Sequence, residues 1–171
     1  MKGQAGIAIL AAFIFPVTAL SGESPLPAPV AKFLKGYIDT CADAQGKPNT
    51  AKAVQRADLN ADGFLDFVVD VGSIECVDAF SIYGDREKDV GVFLGDGKGS
   101  AVQAFGDSVF GVRVEGQGTK ARLWLTTSGA GCGKRPAKDF ASENFCDRPL
   151  SWNAATRKLE YAPVSQVKMI Q

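Results

Sequence analysis

Residues 58 to 66 read Asp-Leu-Asn-Ala-Asp-Gly-Phe-Leu-Asp. Side-chain oxygens fall at positions one, three, five and nine of this loop, on Asp58, Asn60, Asp62 and Asp66, and glycine stands at position six. Calcium is a hard ion that takes oxygen ligands in a flexible cage. A chain wrapping such an ion presents alternate residues inward, so Asp58, Asn60 and Asp62 are expected to converge. Gly63 permits the sharp reversal that lets the Phe64 carbonyl face the ion. Asp66 is expected to close the far side, directly or through water. Three carboxylates exceed the charge of one Ca2+, which suits a filled site.

The loop differs from a helix–loop–helix EF-hand. Val69 stands at position twelve, where that loop carries a bidentate Glu. Phe67-Val68-Val69-Asp70-Val71 also reads as a strand, not a helix. A site lacking that Glu is expected to bind calcium with a dissociation constant on the order of 10⁻⁴ M, as extracellular modules do. A metal-free Asx/Gly turn would account for Asp62-Gly63, but not for the spacing of Asp58, Asn60 and Asp66.

Other chemistry is sparse. The chain has no histidine, so no Ser–His or Cys–His pair exists. A carboxylate pair could serve as acid and base, but no spacing selects one. Ser128-Gly-Ala-Gly-Cys-Gly-Lys134 is superficially like a phosphate loop, yet its spacing is short and Arg135 replaces the hydroxyl residue. The expectation is a protein that is not an enzyme. Nineteen basic residues balance nineteen acidic ones, which argues against an electrostatic nucleic-acid binder.

The N-terminus points to export. Met1-Lys2 precedes an apolar run from Ala5 to Phe15, Pro16 breaks it, and small residues follow at Thr18, Ala19 and Ser21. Residues 1–21 are therefore read as a cleaved signal peptide, residues 22–29 as a flexible tether, and 30–171 as a single β-rich domain. The run is too short and too broken for a membrane span, so no membrane contact is expected after cleavage. The destination is periplasmic or secreted. The four cysteines, Cys41, Cys76, Cys132 and Cys146, then read as two disulfides. Three connectivities are possible; sequential pairing, Cys41–Cys76 and Cys132–Cys146, is favoured because it staples nearby segments.

Several elements must position these groups. Val30, Phe33, Leu34, Tyr37, Ile38 and Cys41 recur at spacings of three and four, which predicts one amphipathic helix. Pro29 suits its first turn, and Gly46 and Pro48 end it. Strands are predicted at 67–71, 77–82, 90–94, 101–105, 110–114, 122–126, 150–153 and 158–162, joined by Gly/Asp/Asn turns. Trp124 and Trp152 fall in strand patterns and read as core aromatics. The stretch from Ser128 to Cys146 has no periodicity and is assigned to the second disulfide. The fold class is α+β, mainly β: an N-terminal helix packed on an antiparallel β-meander, stapled by disulfides.

The calcium loop with its strand, followed by Val90-Gly-Val-Phe-Leu-Gly-Asp-Gly-Lys-Gly99, resembles a single FG-GAP/VCBS-type repeat. The resemblance covers Arg56 to about Phe105. It implies ligation of Ca2+ by Asp58, Asn60, Asp62, the Phe64 carbonyl and Asp66, and a hairpin at the Gly-Asp-Gly. Such repeats usually close a propeller of several blades, and one copy is present here, so no propeller is expected. The lone repeat with flanking cysteines also resembles small exported bacterial proteins. The expected function is a calcium-stabilised binding or structural module for an extracytoplasmic protein or glycan. The alternatives are a periplasmic hydrolase using paired carboxylates and a periplasmic enzyme inhibitor presenting the 128–146 loop.

Overall fold

The helical spacing of the first apolar face is realised in helix α1, Ala28–Asp43, with proline in its first turn. The structure is a computed structural model and describes residues 25–170; the expected signal peptide and its cleavage site lie outside them. Within residues 25–29, the described part of the expected tether, Leu26 packs against buried residues and α1 begins at Ala28. Among the described residues no helix is long and apolar enough to cross a membrane.

Eleven strands follow: β1 Lys47–Asn49, β2 Val54–Ala57, β3 Asp66–Asp70, β4 Glu75–Val77, β5 Lys88–Gly95, β6 Ala101–Val109, β7 Gly111–Glu115, β8 Arg122–Ser128, β9 Phe145–Asn153, β10 Lys158–Tyr161 and β11 Lys168–Met169. One antiparallel sheet has the order β2-β3-β5-β6, and a second has β10-β9-β8-β7 with β11 also on β9. β1 and β4 form a separate two-stranded ribbon. The described residues thus form one α-helix with antiparallel sheets, mainly β.

The two-residue period of the strands sends alternate side chains into two cores. In β3, Phe67 and Val69 face a cluster that includes Val30 and Leu34 of α1 together with Phe93. Val68, between them, faces the opposite cluster, formed with Val92 of β5, Leu123 and Leu125 of β8, Leu150 of β9 and Leu159 of β10. The register Phe67↔Phe93 and Val68↔Val92 keeps like faces together. Gly91 of β5 leaves room for the ring of Phe33: a Cβ there would sit 3.1 Å from it. Burial of this apolar surface contributes about 25 cal/mol per Å2.

Both expected disulfides are present. Cys41 of α1 joins Cys76 of β4 with Cα atoms 5.8 Å apart, and Cys132 joins Cys146 of β9 at 5.7 Å. The first bridge ties the helix to the β1–β4 ribbon. Gly46 lies directly on it, since a Cβ there would be 2.3 Å from Cys76 Sγ and 2.9 Å from Cys41 Sγ.

One predicted strand is absent. Val77–Ile82 was expected to extend, but β4 ends at Val77 and turns follow. Asp78 and Ser81 have φ of 73° and 60°, left-handed values that stop a strand. Its apolar residues face solvent, with Phe80 85% exposed. The short strands β1, β2 and β11 carry too little alternation to be recognised from sequence, and β9 begins five residues earlier than expected, inside the segment that lacked periodicity. Trp152 is partly buried against the second cluster, as expected of a core aromatic. Trp124 is also buried, but on the face of β8 opposite Leu123 and Leu125; Lys168 Nζ lies 3.8 Å from its ring centroid.

Candidate functional site

The loop from Asp58 to Leu65 connects β2 to β3, and Asp66 is the first residue of β3. Asp58 and Asp66 are buried, Asp66 completely. Such carboxylates are rare in a core unless they are paired or hydrogen-bonded. Asp66 Oδ2 accepts the Leu59 amide at 2.8 Å and Oδ1 accepts the Gly95 amide at 3.0 Å. One side chain therefore clasps the start of its own loop and the end of β5. Asp58 Oδ1 and Oδ2 accept the amides of Asp62 and Gly63 at 3.2 and 3.1 Å. Asn60 Oδ1 accepts the Asp62 amide at 3.1 Å, and Asp62 Oδ1 accepts the Phe64 amide at 2.8 Å. Asn60 Nδ2 donates to Asp62 Oδ2 at 2.8 Å. Ala61 and Gly63 take positive φ, 61° and 86°, and turn the chain back on itself.

The Gly-Asp-Gly hairpin between β5 and β6 docks on this loop. A Cβ on Gly95 would lie 2.2 Å from the Leu65 carbonyl oxygen, and one on Gly97 would lie 2.2 Å from the Phe64 ring. Both glycines are needed because backbone and ring approach too closely for a side chain. Asp96 folds the hairpin tip by accepting the amides of Lys98 and Ser100, which hold its carboxyl below the usual carboxylate range. The two motifs quoted above thus meet in space. The sequence alone left the second one indistinguishable from any glycine-rich hairpin.

Electrostatically the loop is acidic. Burial pushes the Asp66 carboxyl up to about 6; the Leu59 and Gly95 amides pull the other way, and the nearby charges of Asp62 and Asp58 add to the rise. Ion pairs among the described residues lie elsewhere, such as Lys35–Asp39 on the helix and Arg113–Asp147 on the second sheet.

The donor set fits a hard divalent cation in chemistry: three carboxylates, one amide oxygen, and the Phe64 carbonyl, which accepts none of the loop's backbone hydrogen bonds. Each carboxylate oxygen of Asp58 holds a single backbone amide and keeps a lone pair for a further partner. The side chains do not converge on one point in this conformation. Among the described residues, no group of three or more His, Cys, Asp or Glu side chains is arranged to hold a metal ion. The loop is instead folded by its own amides, which fixes the backbone around which such a cage would close.

The loop also forms one side of a cavity of about 640 Å3. Asn60, Asp62 and Phe64 line it together with Leu94, Val102 and Gln103 of the hairpin strands, and with Trp152, Arg157 and Lys158 from β9, β10 and the turn between them. Sequence reasoning missed this cavity, because its parts are distant in the chain. The only signal was Trp152 beside a turn. No family model, curated protein or solved structure matches the chain.

Proposed function

We propose that the protein is a non-catalytic, calcium-stabilised binding module that works outside the cytosol. The observation that carries this reading is the clasp of Asp66: a fully buried carboxylate joins loop and hairpin while Asp58 and Asp62 add negative charge beside it. A bound Ca2+ would neutralise that charge and supply the coordination that fixes the loop. Asp58, Asn60, Asp62 and the Phe64 carbonyl would hold it, with Asp66 bracing the far side. In this reading residues 56–105 form one FG-GAP/VCBS-type unit, and α1 covers its meander. Two disulfides support an oxidising compartment, periplasmic or secreted.

The calcium site itself is tested by titration calorimetry on the full chain. Wild type should release or absorb heat with calcium, with a dissociation constant on the order of 10⁻⁴ M. Asp62→Ala should weaken that binding at least about tenfold, a loss of roughly 1.4 kcal/mol, and should leave stability in chelator nearly unchanged. Binding unaffected by Asp62→Ala would place calcium elsewhere.

A hydrolytic reading has one feature in its favour. Asp89 and Asp107 line a hollow of about 360 Å3 with Phe33, Tyr37 and Ser108. Both carboxylates are already engaged as acceptors: Asp89 takes the Tyr37 hydroxyl at 2.5 Å and the Ser108 hydroxyl at 2.6 Å, and Asp107 takes the Tyr161 hydroxyl at 2.9 Å. Burial and the Asp89 contact push the Tyr37 hydroxyl upward, so it stays the donor. A general acid must carry its own proton to the leaving group, and carboxylates engaged as acceptors by tyrosine and serine hydroxyls suit structural cross-links better.

A further inference from the structure

We propose that the cavity beside the acidic loop is a binding site for an acidic oligosaccharide, a sugar chain carrying carboxylates. The inference rests on the calcium reading above in one respect only, the dependence of binding on calcium.

The shape comes first. The cavity of about 640 Å3 shares Gln103, Ala104 and Lys158 with a second hollow of about 390 Å3 that continues to Gly106 and Leu159. Together they make an elongated groove between β6 and β10, the edge strands of the two sheets. Each part lies within the size range of small-molecule sites, and the whole suits a chain of several rings.

The lining sets the ligand chemistry. Trp152 is only partly buried and lines the groove with Phe64, which is 47% exposed. Aromatic faces accept the apolar C–H face of a pyranose, while amides such as Gln103 hydrogen-bond its hydroxyls. Arg157 and Lys158 bring two cations, and neither takes part in an ion pair among the described residues. Arg157 is held with φ 54° at the end of the β9–β10 turn. A carboxylate on the ligand would meet them in charge-assisted hydrogen bonds.

An extended peptide added to the β6 edge is the competing occupant, and the edge is blunted against it. The β5–β6 register passes from Val92↔Phe105 to Phe93↔Gln103, which leaves Ala104 as a bulge in the middle of the groove. Gln103 Nε2 also donates to the Phe105 carbonyl at 3.3 Å. Bulges interrupt the ladder that an added strand needs.

Charge couples the groove to the loop. Asp62 and Asp96 line the same cavity and repel an anionic ligand. Calcium on the loop offsets that repulsion, so each ligand should strengthen the other's binding.

The test is calorimetric titration of the full chain with a hexasaccharide of alternating glucuronate and N-acetylglucosamine, and with the uncharged N-acetylglucosamine hexasaccharide. In saturating calcium the acidic sugar should bind at least about tenfold more tightly than the neutral one. The exposed pair Arg157→Gln/Lys158→Gln should abolish that preference, about tenfold or more, with an unchanged melting temperature. Equal affinity for the two sugars, no binding of either, or full affinity in the double variant would overturn the proposal. Calcium heat without sugar heat overturns the groove and leaves the calcium reading standing. Sugar binding that is undiminished in chelator, in a protein giving no calcium heat, retains the groove and overturns the calcium reading.

Discussion

Replacing Asp66 by alanine should lower the unfolding free energy by about 3 kcal/mol or more, even in the absence of calcium. The side chain is fully buried and accepts the amides of Leu59 and Gly95. Alanine leaves both donors in the interior without a partner, at about 1–3 kcal/mol each. It also releases the hairpin from the loop, because Gly95 reaches Asp66 across 29 residues of sequence. Asp66→Asn keeps one acceptor oxygen and drops a charge that burial already disfavours, so it should be the milder change. Chemical denaturation of the three proteins in chelator reads the order directly. Wild-type stability in Asp66→Ala would show that the clasp contributes nothing to the fold.

The second large effect concerns the helix staple. Removing Cys41–Cys76 with a pair of serines should destabilise the protein by about 4 kcal/mol, and removing Cys132–Cys146 by about 3 kcal/mol, on the chain-entropy argument. The difference follows from the separations, 35 residues against 14. The first loss should also be felt locally, because Gly46 packs on that bridge and leads into β1. For a domain of this size each kcal/mol shifts the melting temperature by about 2–4 °C, so the first variant should melt roughly 8–16 °C lower. Equal shifts for the two pairs would contradict the loop-length account.

Much of this architecture was legible in the residues. The apolar positions from Val30 to Cys41 repeat with the helical period, and the core strands β3, β5 and β8 stand out as short apolar runs bounded by turns. Because both faces of such runs are buried, as in Phe67-Val68-Val69, the pattern located the strands but did not assign their faces. The loop was legible because its oxygens fall at regular positions and Gly63 takes φ 86°. Val77–Ile82 misled because β-branched and aromatic residues favour strands wherever they occur. Left-handed Asp78 and Ser81, which undo the strand, leave no hydrophobic signature. The roles of Gly95 and Gly97 were invisible for a different reason. Their glycines answer to Leu65 and Phe64, neighbours only after folding. The groove belongs to the same class, since Phe64, Gln103 and Trp152 are brought together by sheet order.

The acidic loop also explains why its side chains are tied to amides rather than converged. Both oxygens of Asp58 and of Asp66, and Oδ1 of Asp62, accept backbone amides that the turn would otherwise leave open, and Asp62 Oδ2 accepts the Asn60 side-chain amide. In the proposed reading, a divalent ion is the further partner of this set. It should act on stability as any ligand of the folded state does, in proportion to how far its concentration exceeds the dissociation constant.

Thermal unfolding of the full chain in 10 mM calcium and in chelator is therefore the most direct measurement. With a dissociation constant on the order of 10⁻⁴ M, calcium at about 100 times that value should stabilise the fold by about 2.7 kcal/mol. The melting temperature should then rise by roughly 5–11 °C, and Asp58→Ala should remove most of the rise. Identical melting curves in calcium and in chelator would contradict the account and leave residues 58–66 as a turn held by its own amides.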